Sequence, residues 1–134
     1  MTARLLVTGS RGWTDRRIIF NALHWGWSSF GPGTVLVHGG ASGADSLCRR
    51  VWKEAGLPDE VHTPQWRPHG VFNPVAGFDR NARMVALGAD RAFYFGLSCS
   101  DEKCRRQEPH LTHGTEDCVQ RIKDAGIPLW GWTL

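Results

Sequence analysis

The 134-residue sequence has no long hydrophobic run, and this absence bears on where the protein works. No apolar stretch approaches the roughly 20 residues that a membrane-spanning helix needs. At the N-terminus, the apolar run Leu5-Leu6-Val7 meets Gly9 and Ser10 before a signal-peptide core has formed. We therefore expect a cytoplasmic protein with no membrane partner.

A strong excess of charge of one sign is also missing. Sixteen lysines and arginines stand against thirteen aspartates and glutamates, which leaves a net charge of only +3. A dedicated DNA-binding domain carries a strong basic patch, so we do not expect nucleic acid as a partner. A mild positive excess suits a small anionic molecule instead.

The composition is not that of a disordered chain. Hydrophobic residues make up 41% and charged residues 22%, with seven tryptophans and six phenylalanines, which predicts a packed core. The length favours one domain over residues 1–134.

The seven tryptophans predict self-association. Seven indole side chains are more than the core of so small a domain can bury. We therefore expect some of them, together with an aromatic loop at 66–78, to form the interface of a homo-oligomer.

Apolar runs and helical patterns alternate along the chain. Short apolar runs ended by glycine or polar residues predict strands over 4–8, 34–38, 60–63, 91–95 and 127–130. Helical spacing predicts helices over 15–30, 43–55, 79–87 and 115–125, with Asp79 as the N-cap of the third. This alternation predicts an α/β fold in which a five-stranded, mainly parallel sheet has helices on both faces.

Glycine-bearing turns follow three of the predicted strands. Because ligands of open parallel sheets bind at the carboxyl ends of the strands, these turns are the first place to look for function. Glycine lets the backbone approach a phosphate closely, and hydroxyl and arginine side chains add hydrogen bonds and charge. The candidate ligand-binding residues are Gly9, Ser10, Arg11, Gly39, Gly40, Ser42, Gly43, Asp45, Arg80, Gly114 and Thr115.

Two of these candidates have an alternative role. Asp45 either satisfies free N–H groups at a helix start or binds a ribose hydroxyl, and the sequence leaves both roles open. Arg80 is either a solvated charge on a helix face or a ligand contact, and its position just after the aromatic loop favours the ligand. Trp13 and Trp66 lie in loops near the expected pocket. If the ligand carries an adenine-like base, we expect these indole rings to stack on it.

Four cysteines in a cytoplasmic chain do not predict a disulfide framework, because that compartment keeps thiols reduced. Cys99, Cys104, His110 and His113 fall within fifteen residues, and two thiolates with two imidazoles can close a tetrahedral zinc site. Such a clasp would order the polar insertion at 96–114; otherwise the two cysteines are free loop thiols. We predict a structural zinc, with Cys118 as the rival fourth ligand.

Four strings in the chain resemble, in order, the motifs of the SLOG superfamily. They are Val7-Thr8-Gly9-Ser10-Arg11, Val37-His38-Gly39-Gly40-Ala41-Ser42-Gly43-Ala44-Asp45, Asp79-Arg80-Asn81-Ala82-Arg83-Met84 and His113-Gly114-Thr115. This superfamily includes the LOG-type phosphoribohydrolases, the DprA-type DNA-processing proteins and small YspA-like proteins, and the resemblance to the last covers nearly the whole chain. It implies a Rossmann-like sheet and a pocket for a nucleotide, phosphoribosyl or ADP-ribose-like ligand, and it adds Asn81 to the candidate residues.

The chain departs from the hydrolases of this superfamily in the last motif. Their glycine loop reads Gly-Gly-x-Gly-Thr-x-x-Glu, and the resemblance implies a catalytic role for that glutamate. In this chain Cys118 occupies the position of the glutamate. Glu116 and Asp117 are displaced by one or two residues, which turns a helical side chain by about 100° or more. We therefore expect a nucleotide-binding protein.

Two alternative functions remain open. One alternative is a hydrolase of glycosidic or phosphate bonds that uses Asp45, Glu116 or a zinc-bound water with Arg80. The other is a single-stranded DNA binder, which the modest charge disfavours.

Overall fold

A computed structural model of the chain describes residues 2–134. Its five described strands form one parallel sheet in the order β3-β2-β1-β4-β5. The strands are β1 Arg4–Gly9, β2 Val35–His38, β3 Asp59–Val61, β4 Arg91–Gly96 and β5 Leu129–Thr133, and the helices are α1 Arg16–Phe30, α2 Ala44–Glu54, α3 Ala76–Ala86 and α4 His113–Asp124. The predicted Rossmann-like α/β architecture is confirmed. Over residues 2–134, no helix is long and apolar enough to cross a membrane.

Alternate residues of β1 explain why helices cover both faces of the sheet. Leu5 and Val7 are fully buried in one core with residues of α1 and α2, and Leu6 is buried in a second core with residues of α3 and α4. Successive side chains of a strand point to opposite faces. A strand that is apolar on both faces therefore needs a helical layer on each side.

Two helices begin earlier than the sequence predicts, and both shifts bear on the site. α3 begins at Ala76, three residues before the predicted start, because Asn73 turns the chain by accepting hydrogen bonds from the backbone N–H groups of Val75 and Ala76. Asp79 is therefore not the N-cap. It lies in the first turn of α3 and accepts a hydrogen bond from the Asn73 side chain over 3.2 Å. α4 begins at His113 rather than at residue 115.

The two edge strands are also shifted. β5 runs over Leu129–Thr133 instead of over 127–130, because β4 continues to Gly96 and pairs with β5 up to that residue. β3 covers only Asp59–Val61, so it begins one residue earlier than predicted and is shorter. Neither shift involves β1, β2 or β4, the strands whose carboxyl ends carry the candidate turns.

The tryptophans divide between the core and the surface. Trp13 and Trp52 are at most 2% exposed, so two indoles contribute fully to the core on the α1 and α2 side of the sheet. Three others expose more than a third of their surface: Trp25, Trp66 and Trp130. The fold therefore leaves a substantial part of its aromatic surface uncovered within the chain.

Candidate ligand-binding cleft and metal cluster

A cleft of about 370 Å³ lies at the carboxyl end of the sheet, next to the point where the strand order reverses between β1 and β4. A recess of about 250 Å³ continues it. Predicted residues that line the cleft are Gly9, Ser10, Arg11, Asp45, Arg80, Asn81, Gly114 and Thr115, and those that line the recess include Gly39, Gly40 and Ser42. Gly43 is the exception, because it lies behind the wall against the backbone of Arg11.

The turn after β1 is held by contacts within the protein. The Ser10 hydroxyl accepts a hydrogen bond from the backbone N–H of Leu97 over 2.9 Å and lies 2.6 Å from the Thr112 hydroxyl. A Cβ on Gly9 would overlap the side chain of Ala44, so this glycine lets α2 approach the sheet closely. Both residues have a structural role in addition to their place in the cleft wall.

The turn after β2 is held by a buried histidine. His38 is fully buried, and its Nδ1 accepts the backbone N–H of Gly40 over 3.0 Å. Because Nδ1 is an acceptor, Nε2 carries the proton and donates it to the Asp59 carboxylate over 2.8 Å. His38 thus orients the two-glycine turn. Reasoning from the sequence missed this role, although His38 stands inside the quoted motif.

Asp45 satisfies free N–H groups, but those of the glycine turn rather than those of its own helix. Its Oδ2 accepts hydrogen bonds from the backbone N–H groups of Gly39 over 3.1 Å and Ala41 over 3.3 Å. Its Oδ1 is buried and has no hydrogen-bond partner among residues 2–134. The residue lines the cleft and is only 5% exposed. Burial raises the pKa of Asp45, because water no longer solvates the charged form.

Two glycines of this turn allow segments of the protein to approach one another. Gly43 has a φ of 76°, and a Cβ at this position would overlap the backbone of Arg11 and of Ser10. A Cβ on Gly39 would overlap the guanidinium of Arg80. Close packing against the turn after β1 explains Gly43, and close packing against Arg80 of α3 explains Gly39, without reference to a ligand.

Arg80 is not a solvated charge on a helix face. It is 8% exposed, and it donates hydrogen bonds to the Gly39 carbonyl over 2.6 Å and to the Asn81 side chain over 2.9 Å. Asn81 donates in turn to the Gly114 carbonyl over 3.3 Å. Burial lowers the pKa of Arg80, yet a guanidinium stays charged at physiological pH. The cleft therefore contains a buried positive charge that connects the glycine turn to α3 and α4.

Arg11 and Trp66 form an outer wall of the cleft. The guanidinium of Arg11 lies 5.9 Å from the centre of the Trp66 ring, within the range of a cation–π contact, and Trp66 stacks on Phe72. The expectation that Trp13 lies beside a base is wrong. Trp13 is 1% exposed and packs edge-on against Phe95 in the core, because its side chain turns under α1 rather than toward the strand ends.

The first turns of three helices line the cleft. In residues 2–134, the first N–H groups of α2, α3 and α4 donate no hydrogen bond to an N-cap side chain. The first turns of these helices supply cleft residues: Asp45, Gly77, Phe78, Gly114 and Thr115. α1 differs, since Asp15 caps it by accepting the Ile18 N–H over 2.9 Å and no residue of α1 lines the cleft. The N-terminal end of a helix carries partial positive charge, so these three ends add positive potential to that of Arg11 and Arg80 at the cleft.

The acidic residues near Cys118 do not reach the cleft. Glu116 forms an ion pair with Arg106, and Asp117 forms one with Arg121, in the next turn of α4. Cys118 itself is fully buried, and burial raises its pKa to about 12. Of the carboxylates in the described chain, Asp45 alone lines the cleft or the recess.

The four predicted metal ligands come together on the surface beside the cleft. One ligand atom from each of Cys99, Cys104, His110 and His113 lies within 4.8 Å of all the others. The Sγ of Cys99 lies 3.4 Å from the Nε2 of His113, the Sγ of Cys104 lies 3.5 Å from the Nε2 of His110, and the two Nε2 atoms are 3.3 Å apart. A tetrahedral centre with bonds of about 2.3 Å to sulfur and about 2.0 Å to nitrogen separates its ligand atoms by about 3.3 to 3.8 Å. The cluster can therefore hold a metal ion.

The surroundings of the cluster also fit a metal. The Nδ1 of His110 donates to the Glu108 carbonyl over 2.8 Å, which directs Nε2 to the cluster. The backbone N–H of Cys99 donates to the His110 carbonyl over 2.7 Å and closes the base of the loop. Cys118 lies outside the cluster, where it packs in the second core, so the structure favours His113 as the fourth ligand.

Thr112 connects the cluster to the cleft. It lies next to His113, its backbone N–H donates to the Leu97 carbonyl over 3.0 Å, and its hydroxyl contacts Ser10, which is 102 positions earlier in the chain. Thr112 lines the cleft. Reasoning from the sequence missed it, and the available signal was its place directly before the His113-Gly114-Thr115 turn. Other cleft residues that the sequence did not single out as candidates are Thr8, Gly12, Ala41, Pro74, Gly77 and Phe78.

Comparisons with known proteins identify the family. A family model described as "YspA, cpYpsA-related SLOG family" matches residues 3–69. The Gene 61 protein of Mycobacterium phage D29 is 37% identical over 131 residues, which cover 94% of this chain and 93% of the phage protein. DNA processing protein A from Helicobacter pylori, whose structure was reported for its single-stranded DNA binding mode, matches with a TM-score of 0.65 and 15% identity. That match covers 96% of this chain and 64% of the Helicobacter protein, and it shows a shared fold. The resemblance inferred from the motifs is confirmed, and the chain belongs to the YspA, cpYpsA-related SLOG family.

Proposed function

We propose that this protein binds a nucleotide or a nucleotide-derived molecule, such as a phosphoribosyl or ADP-ribose-like ligand, in the cleft at the carboxyl edge of the sheet. The observation that carries the proposal is the convergence of three uncapped helix N-termini, those of α2, α3 and α4, on one cleft. Backbone N–H groups at such an end donate to phosphate oxygens, and the helix dipole favours their negative charge.

The side chains of the cleft suit the other parts of such a ligand. Arg11 and Arg80 supply positive charge at the wall and at the base. Trp66 lines both the cleft and the recess, and an indole face of this kind stacks on a base. The cleft volume of about 370 Å³ falls in the usual range for small-molecule sites, about 300 to 1,000 Å³.

Binding fits this cleft better than hydrolysis. Cleavage of a glycosidic or phosphate bond needs a positioned acid or base. Of the described carboxylates only Asp45 lines the cleft, and two backbone N–H groups occupy its Oδ2. Glu116 is paired with Arg106 outside the cleft. The Cys and His cluster already provides four ligands, which leaves no open position for an activated water.

Single-stranded DNA is the second candidate ligand, because the structurally similar Helicobacter protein is known for binding it. A cation and an aromatic ring in contact, as in Arg11 and Trp66, are the kind of pair that holds an unpaired strand. A strand also needs basic groups along its backbone. The net charge of only +3 therefore favours the smaller anion.

We also propose that Cys99, Cys104, His110 and His113 hold a structural zinc. Two thiolates and two imidazoles at tetrahedral spacing are a preferred zinc ligand set. When bound, zinc would supply a cross-link across the insertion at 96–114. Because Thr112 lies between two of the ligands, the cross-link would also hold the start of α4 against the cleft.

Titration calorimetry with AMP, ADP, NAD and ADP-ribose tests the ligand proposal. At least one of them should bind, and Arg11→Ala should weaken that binding about ten- to a hundredfold, the loss expected for a hydrogen bond to a charged group. The control is Arg50→Ala, which removes an exposed arginine outside the cleft. Equal affinity of both variants would place the site elsewhere. Release of free base during incubation would favour the hydrolase, and tighter binding of oligothymidylate than of every nucleotide would favour DNA.

Elemental analysis of protein purified without chelator tests the zinc proposal. The expected content is about one zinc per chain, because four ligands complete one site. Cys104→Ser should lose the metal, while Cys118→Ala, which alters a buried cysteine outside the cluster, should retain it. Full zinc content in Cys104→Ser would refute the ligand set.

A further inference from the structure

One oxygen of the cleft residue Asp45 lacks a hydrogen-bond partner among the described residues. Oδ1 of Asp45 is buried and accepts no hydrogen bond from residues 2–134, whereas Oδ2 accepts two. A buried acceptor without a partner destabilises the folded state, and such atoms are rare in proteins. Since Asp45 lines the cleft, a group of the bound ligand is the natural partner for this oxygen.

The surroundings of Asp45 define the chemistry of that group. It must donate a hydrogen bond, because a carboxylate oxygen accepts. It cannot be a cation at low cost, because Arg80 and the three uncapped helix N-termini make the cleft electropositive. A neutral hydroxyl carried by an otherwise anionic molecule meets both conditions, and the sugar of a nucleotide provides one next to its phosphate.

We infer that the cleft selects ribonucleotide-type ligands, with the unpartnered Oδ1 of Asp45 accepting a hydrogen bond from a sugar hydroxyl while the phosphate lies against the helix N-termini. This inference rests on the proposed function and specifies its ligand class. It assigns the two oxygens of one carboxylate different tasks. Oδ2 holds the glycine turn in shape, and Oδ1 distinguishes a ribose from a sugar that lacks the hydroxyl.

The electrostatics of the cleft agree with this division. Burial raises the pKa of Asp45 in the protein alone. A hydrogen bond donated to Oδ1 stabilises the charged carboxylate and offsets part of the desolvation. Asparagine would keep one carbonyl oxygen for the N–H groups of Gly39 and Ala41, but it would place an NH₂ group where Oδ1 was. Asp45→Asn therefore removes the acceptor and retains the structural contact.

Calorimetry with ADP, 2′-deoxy-ADP and 3′-deoxy-ADP tests the inference. The wild-type protein should bind ADP about ten- to a hundredfold more tightly than at least one deoxy analogue, as expected for a hydrogen bond to a charged acceptor. Asp45→Asn should bind ADP as weakly as that analogue and should bind the analogue as the wild type does. Asp15→Asn is the control, because asparagine caps α1 as aspartate does and position 15 is outside the cleft.

Each contrary result has a distinct meaning. Equal binding of all three nucleotides by the wild type would overturn this inference and leave the proposed function standing. Failure of all three to bind would overturn both. A uniform weakening of ADP and both analogues in Asp45→Asn would make Asp45 a structural residue only, and would also overturn the inference. If the variant does not fold, the wild-type comparison of ADP with its deoxy analogues decides alone.

Discussion

Replacement of Gly43 by alanine should destabilise the fold before any ligand is added. Gly43 has φ 76° and ψ −123°, and a Cβ there would overlap the backbone of Arg11 and Ser10. The next residue, Ala44, donates its backbone N–H to the Ser10 carbonyl over 3.2 Å. The turns after β1 and β2 therefore cannot separate to make room for a methyl group without weakening this hydrogen bond.

Three contributions set the size of the effect. An L-residue held at positive φ costs about 1–2 kcal/mol, overlap with packed neighbours costs about 1–3 kcal/mol, and the weakened hydrogen bond costs about 0.5–1.5 kcal/mol. Together they lower the free energy of unfolding by about 2.5–6.5 kcal/mol, which is a large part of the stability of a small domain. The melting temperature should fall by roughly 10–20 °C for a chain of this length.

Thermal unfolding followed by circular dichroism measures this loss in the absence of nucleotide. Gly126→Ala is the matched control, because Gly126 has a similar φ of 74° but a Cβ there meets nothing within 4 Å. That variant should lose about 1–2 kcal/mol, the backbone cost alone. Melting temperatures within a few degrees of each other would refute the packing argument. A Gly43→Ala protein that is fully stable and fails only to bind nucleotide would place this side chain in the space of the ligand.

Two further predictions concern acid stability and assembly. Hydrogen bonds from Arg4 and His62 lower the pKa of Glu60 from 4.5 to about 2, so its contribution to stability is present above pH 4.5 and is lost as the pH falls toward 2. Arg4→Gln should flatten this acid dependence in denaturant titrations across that range, whereas Arg16→Gln, at an exposed ion pair, should not. Light scattering should find a homodimer or larger assembly, and Phe72→Ser, in the aromatic loop and 53% exposed, should shift it toward monomer. Leu87→Ser removes a similarly exposed apolar side chain, at 60%, outside that loop and should leave the assembly unchanged. A monomer at every concentration would refute the interface.

The sequence by itself determined the fold and the edge of the sheet where function lies. Buried strands such as Leu5-Leu6-Val7 and amphipathic helices are read from hydrophobic spacing over a few residues, and their alternation allows few arrangements other than a parallel sheet. Turns that follow parallel strands must share one edge, so the grouping of Arg11, Asp45 and Gly114 at one cleft could be predicted. The same holds for the Cys99 to His113 cluster, because a short insertion keeps its ligands within reach of one another.

The tertiary structure decided what each of these residues does, because those roles depend on contacts between distant parts of the chain. The Ser10 hydroxyl contacts Thr112, which is 102 positions later, so this candidate also builds the cleft wall. Gly43 packs against the backbone of Arg11 and therefore supports that wall from behind. The orientation of a side chain at a turn is likewise not encoded in local spacing, which is why Trp13 enters the core instead of the pocket. Whether both oxygens of Asp45 have partners depends on three-dimensional hydrogen bonding, and among residues 2–134 Oδ1 of this cleft residue has none.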